Sequence, residues 1–140
     1  MPEAISDDAV RRFAGARIAR LATVTAEGLP HVVPVVFAID GDIVYTAVDG
    51  KPKSTTRLRR LANIERNPGA SVLVDHYDEE WSSLWWVRVD GIAALHSADA
   101  AAHHGRDLLR AKYPQYRTVS LDGPVIAITV RRWSSWFANQ

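Results

Sequence analysis

Three runs rich in β-branched residues, 17–25, 31–39 and 43–48, follow one another with only turn-forming residues between them. No other feature of the chain constrains its fold as strongly, because such runs bounded by Gly, Pro, Asn and Asp read as strands. Ala26-Glu27-Gly28-Leu29-Pro30 separates the first two. Asp40-Gly41 separates the last two and is the strongest short hairpin signal a sequence can carry. Three antiparallel strands are predicted. Pro34 interrupts the second. Proline brings no N–H to a ladder, so it predicts an edge position or a bulge, with neighbouring backbone groups left free for a ligand.

The flanking segments complete an alternation of strands and helices. Ser6-Asp7-Asp8 offers a cap oxygen and then acids at the positive end of a helix dipole, and Gly15 closes that short helix. Residues 53–66 place Leu58, Leu61, Ala62 and Glu65 at helical spacing, with Ser54 or Thr55 as cap and Asn67-Pro68-Gly69 as stop. Strands are predicted at 70–76 and 84–96, around an acidic turn at Asp78-Glu79-Glu80. A second long helix is predicted over 97–113, capped by Ser97 and ended by Pro114. A final apolar strand at 125–130 precedes an aromatic tail at 131–140. The order predicts one domain over 1–140, mainly β with flanking helices: an antiparallel barrel with helices packed outside it.

Composition excludes several classes. The 140 residues suit one domain, and 47% hydrophobic content is ample for a core. A net charge of +1 argues against nucleic-acid binding. Without cysteine there is no disulfide, thiolate metal site or Cys nucleophile. The start lacks the basic and apolar pattern of a signal peptide, and no run reaches the roughly 18 apolar residues of a membrane helix. A cytoplasmic protein with no membrane partner is expected. Five tryptophans fall in two clusters, Trp81/Trp85/Trp86 and Trp133/Trp136. A domain this small cannot easily bury them alone, so they predict a dimer interface, an aromatic ligand, or both.

The segment from Gly50 to Arg60 sets Lys51, Lys53, Ser54, Thr55, Thr56, Arg57 and Arg60 around a strand-to-helix junction. Helix N-termini attract phosphate, and Lys and Arg strengthen such a site. An ordinary solvated basic helix face explains the same composition equally well; Arg59 and Arg66 fit only that second description. In the run from Asp75 to Trp81 the acids read as a solvated turn, whereas His76 and Tyr77 sit at a strand end where they can flank a ligand. Asp99 and His103 stand four apart on a helix, but two residues do not make a metal site, and a surface hydrogen bond fits them better. No Gly-x-Gly-x-x-Gly, Walker loop, Gly-x-Ser-x-Gly or His-Glu-x-x-His occurs. With no paired acid and base in evidence, any enzymatic chemistry is expected to come from a bound cofactor.

Three segments together resemble the pyridoxamine-phosphate-oxidase-like split-barrel superfamily: residues 19–35, with Thr23-Val24-Thr25-Ala26-Glu27-Gly28-Leu29-Pro30-His31, then residues 53–58, then Asn63-Ile64-Glu65-Arg66-Asn67-Pro68. Residues 73–88, with Trp81-Ser82-Ser83-Leu84-Trp85-Trp86, resemble more narrowly its actinobacterial coenzyme F420-dependent branch, the B group of flavin/deazaflavin oxidoreductases. The resemblance runs from about Ile5 to Phe137 and implies a split β-barrel of the FMN-binding type. It further implies a homodimer with two cofactor sites at the subunit interface. By that resemblance the cofactor phosphate lies against Lys51, Lys53, Ser54, Thr55, Arg57 and Arg60. The broken strand over 33–37, with Pro34, Val35 and Val36, places backbone groups at the edge of the ring. Trp85 or Trp86 of the other subunit covers it, and His76 and Tyr77 line the pocket. The implied activity is hydride transfer from reduced coenzyme F420 to a small unsaturated organic acceptor. The alternatives are an FMN enzyme of the same fold, and a non-catalytic carrier of flavin or haem, in which a histidine such as His76 would serve as haem ligand.

Overall fold

The computed structural model describes residues 5–48 and 55–139, without the side chains of 55–58. Helix α1 (Asp7–Gly15) starts as its sequence dictates, with Ser6 Oγ accepting from the Ala9 N–H at 3.1 Å. Strands β1 (Ala19–Val24), β2 (Pro30–Val35), β3 (Ala38–Asp40) and β4 (Ile43–Ala47) follow. Gly28 and Gly41 turn the chain at φ 85° and 61°, the left-handed region that glycine enters without steric cost. Helix α2 (Thr55–Arg66), strands β5 (Gly69–His76) and β6 (Trp85–His96), helix α3 (Ala100–Lys112) and strand β7 (Val125–Phe137) complete the chain, with short 3-10 turns at Trp81–Ser83 and Pro114–Arg117.

The seven strands form one antiparallel sheet in the order β2-β1-β5-β6-β7-β4-β3. Its two outermost strands, β2 and β3, are joined by only Val36 and Phe37. The three Cα steps from Val35 to Ala38 span about 11 Å at most, far less than the width of seven strands, so the opposite edges must approach there and the sheet must curl. The result is the antiparallel half-barrel with three helices that the strand and turn pattern predicts. Pro34 lies on edge strand β2, opposite Arg20.

Alternation fixes the inner face. Ala19, Leu21 and Thr23 of β1, Ala70, Val72 and Val74 of β5, and Val87 and Val89 of β6 point inward and are buried. Helix α1 inserts Phe13, which meets Phe37 and Trp133 edge-on at 5.1 and 5.4 Å. Helix α2 adds Ile64 and Asn63, whose amide donates to Thr23 Oγ1 at 3.1 Å. Helix α3 instead packs Ala102, Leu109 and Tyr113 against Tyr45, Ala47 and Ala127 in a second core outside the barrel.

The structure shifts some of the sequence expectations. The interruption expected at Pro34 within the run 31–39 falls at Val36–Phe37, and Pro34 itself stays paired on the edge strand. The segment 131–140 is not a tail, because β7 continues to Phe137. That continuation crosses a bulge: Asp90 pairs with Arg132 and Gly91 with Val130, leaving Arg131 as the extra residue. A Cβ on Gly91 would collide with the Thr129 carbonyl, so glycine is what lets the strands approach here. The cap of α3 is Asp99 rather than Ser97. Its carboxylate accepts from the Ala102 N–H at 3.1 Å and pairs with His96 Nδ1 at 2.7 Å, which holds its pKa below the ordinary value.

The strand break is held from a distance. Thr46 Oγ1 donates to the Val36 carbonyl at 2.7 Å. The Tyr113 hydroxyl accepts from the Phe37 N–H at 3.2 Å and stands 3.0 and 3.1 Å from the Phe37 and Arg17 carbonyls, either of which can take its proton. The Val36 carbonyl and the Phe37 N–H therefore already have partners within the protein. Tyr113→Phe should strand a buried N–H and cost about 1–3 kcal/mol, read from urea unfolding.

Lys112 lies beside the same corner. Its ammonium donates to the Ala14 carbonyl at 2.9 Å and sits 4.0 Å from the Phe37 ring centroid. Burial first, then the Arg17 charge, lower its pKa from 10.5 to about 8. Between those values the unfolded chain holds the proton more firmly than the folded one, so stability should rise as pH rises from about 8 toward 10.5 and should not respond to this group below that window. Lys112→Met should remove its share of the rise, seen by comparing urea midpoints of both proteins across that range.

Candidate functional site

The corner between β2 and β4 carries a cavity of about 220 Å³ lined by Pro34, Val35, Val36, Thr46, Ala47, Arg60 and Tyr116. Strand β2 supplies its rim because Pro34 ends up at the sheet edge, where no further strand among the described residues pairs with it. The hydrogen bond from Thr46 to the Val36 carbonyl ties the two walls together. Arg60, on α2, is only 9% exposed. A guanidinium keeps its charge at any physiological pH, and burial strengthens its attraction for an anion. Tyr116, on the turn after α3, meets Tyr113 edge-on at 6.2 Å and so belongs to the cluster that holds the strand break.

Four residues named from the sequence, Pro34, Val35, Val36 and Arg60, thus come together although about 25 positions separate the two segments. Lys51, Lys53 and Ser54 lie outside the described residues. Thr55 and Arg57 belong to α2, and their side chains also lie outside that description. Thr46 and Tyr116 were not singled out from the sequence. A threonine within a buried strand and a tyrosine in the short turn that Pro114 opens carry no local mark of the strand break they border.

The remaining candidates stand elsewhere on the chain. His76 and Trp85 are cross-strand neighbours with rings stacked at 5.9 Å and 16°. Trp86 points to the outer face, opposite Trp136 on β7, with the Arg88 guanidinium 5.5 Å from its ring centroid. Tyr77 is 64% exposed; its hydroxyl donates to Glu79 at 2.6 Å and accepts from Trp81 Nε1 at 3.4 Å. Among the described residues no group of three or more His, Cys, Asp or Glu side chains is placed to hold a metal ion, and no helix is long and apolar enough to cross a membrane.

A sequence-family model described as pyridoxamine 5'-phosphate oxidase matches residues 6–137. The chain belongs to this family. No curated protein matches the sequence. Among solved structures, the fold is similar to that of a conserved hypothetical protein of Mycobacterium tuberculosis, at TM-score 0.76 and 21% identity over 96% of this chain and 86% of that one. An FAD-binding protein of Mesorhizobium loti is similar at TM-score 0.69 and 20% identity, over 94% of this chain and 92% of that one. The haem storage protein HutZ of Vibrio cholerae is similar at TM-score 0.70 and 15% identity, over 94% and 93%. These likenesses support the pyridoxamine 5'-phosphate oxidase-like split barrel; at such identities they speak for the fold alone.

Proposed function

We propose that this member of the pyridoxamine 5'-phosphate oxidase family is a coenzyme F420-dependent oxidoreductase, acting as a homodimer and passing hydride to a small unsaturated organic acceptor. The observation that carries the reading is the cavity at the strand break, with its apolar rim of Pro34, Val35 and Val36 and the buried Arg60 charge. An apolar slot beside a fixed cation fits a planar ring that bears a phosphate on its side chain. The basic sequence from Lys51 to Arg57 leads into the same helix and supports the assignment of the phosphate to its N-terminal end. The narrower choice of deazaflavin over flavin is supported by the resemblance of residues 73–88.

When bound, the deazaflavin supplies the hydride. The protein's own residues position and exclude. Pro34, Val35 and Val36 would border the ring, with the bond from Thr46 to Val36 fixing that wall, and Arg60 would hold the anionic side chain. At about 220 Å³ the cavity falls below the roughly 300–1,000 Å³ of complete ligand pockets. A second copy of the chain would close it.

The outer sheet face supports that second copy. Val32 and Trp136 are 59% and 46% exposed there, and Trp86 is half-buried beside Trp136. Light scattering should give twice the 15.5 kDa chain mass, and Trp86→Glu with Trp136→Glu should give the single-chain mass.

Turnover tests the activity. Purified protein mixed with reduced coenzyme F420 and a panel of enones and quinones should oxidise the deazaflavin catalytically with at least one acceptor. Binding without turnover across the panel would favour the carrier reading, which the FAD-binding and haem-storage proteins of similar fold keep in view.

A further inference from the structure

A second cavity, of about 440 Å³, lies where the end of α1 and the start of β1 meet the end of β5 and the start of β6. Four guanidiniums line it, those of Arg11, Arg12, Arg17 and Arg20, with Asp75 as the one carboxylate in the wall. In a chain with 17 basic and 16 acidic residues this is a marked local excess of positive charge. Ion pairs relieve only part of it. Arg11 and Arg12 share Asp8, at 3.3 and 2.9 Å, and Arg20 stands 3.4 Å from Asp75. Arg17 has neutral partners: it donates to the Lys112 carbonyl at 3.0 Å and lies 4.7 Å from the Tyr113 ring centroid.

The wall is flat and partly apolar. Arg12 sits 5.4 Å from the Trp85 ring centroid, and the His76 ring runs nearly parallel to Trp85 on its own strand. Ile18, 47% exposed, and Val74 add aliphatic surface. A further cleft of about 230 Å³, bordered by Ser82, Ser83 and Asn139, shares Arg12, His76 and Trp85 with the first and lengthens the groove. None of these residues lines the β2–β4 cavity.

The geometry points to a second ligand site here, one that takes a planar, conjugated or aromatic polycarboxylate. Guanidinium forks match carboxylates in shape and charge. The Arg12–Trp85–His76 wall offers faces on which a flat unsaturated body stacks. Phosphate alone would satisfy the charge but leave the apolar wall uncovered.

The test is calorimetric titration with naphthalene dicarboxylate as probe. Saturable binding is expected, weakening several-fold between about 50 and 300 mM salt because the pairing is partly exposed. Arg20→Glu and Arg17→Gln should each weaken it by about tenfold or more while the thermal melt keeps its cooperativity. Arg11→Gln, at an exposed position, gives an independent variant that leaves the core untouched. Cyclohexane dicarboxylate and inorganic phosphate should bind more weakly than the naphthalene. Absence of saturable binding, or affinity unchanged in all three variants, would overturn the site; equal binding of cyclohexane dicarboxylate or phosphate would overturn its preference for a planar ligand.

Discussion

Phe13→Ala should destabilise the protein by about 3–5 kcal/mol, the range for emptying a buried aromatic site. The ring is fully buried and is the contact through which α1 enters the half-barrel, edge-on to Phe37 and Trp133. Its loss leaves a void that the surrounding strands can fill only in part. For a chain of this length the melting temperature should fall by roughly 10–15 °C. Phe37 sits at the strand break, so the variant should also loosen the β2–β4 corner and weaken whatever the cavity there binds. Differential scanning calorimetry and cofactor titration on the same sample measure both effects.

Arg60→Gln should leave the fold assembled and lower affinity for coenzyme F420 by about 1.5–3 kcal/mol, the worth of a hydrogen bond to a charged group. That corresponds to roughly 10- to 150-fold in Kd. Arg60→Lys keeps a charge but loses the planar fork, so it should fall between the two. Isothermal titration reads the difference. A loss equal to wild-type error would remove Arg60 from the site.

Much of this architecture is legible in the sequence because its signals are local. Ser6 caps α1, Gly28 and Gly41 turn the hairpins, and β-branched alternation lays down the inner face. The strand break at Val36–Phe37 is not local. Neither residue is a turn former, and the groups that hold it, Thr46 and Tyr113, arrive from 10 and 76 positions away. The length of β7 was hidden for a related reason. The bulge at Arg131 shifts its alternation, so polar residues beyond Val130 no longer read as strand. At the head of α3, Ser97 and Asp99 are both competent caps, and only the His96 pairing distinguishes Asp99. Of the residues lining the β2–β4 cavity, Pro34 and Arg60 carry physical signatures in the sequence, a proline at a strand edge and a cation in a basic helix segment, whereas Thr46 and Tyr116 carry none.

On the proposed function, the β2–β4 corner of this family member holds a deazaflavin. Separate titrations with coenzyme F420 and with FMN, followed by tryptophan fluorescence and repeated on Arg60→Gln, test it most directly. Saturable quenching by coenzyme F420 is expected to exceed any response to FMN and to be reduced in the variant. Tight FMN binding with no response to coenzyme F420 would contradict it.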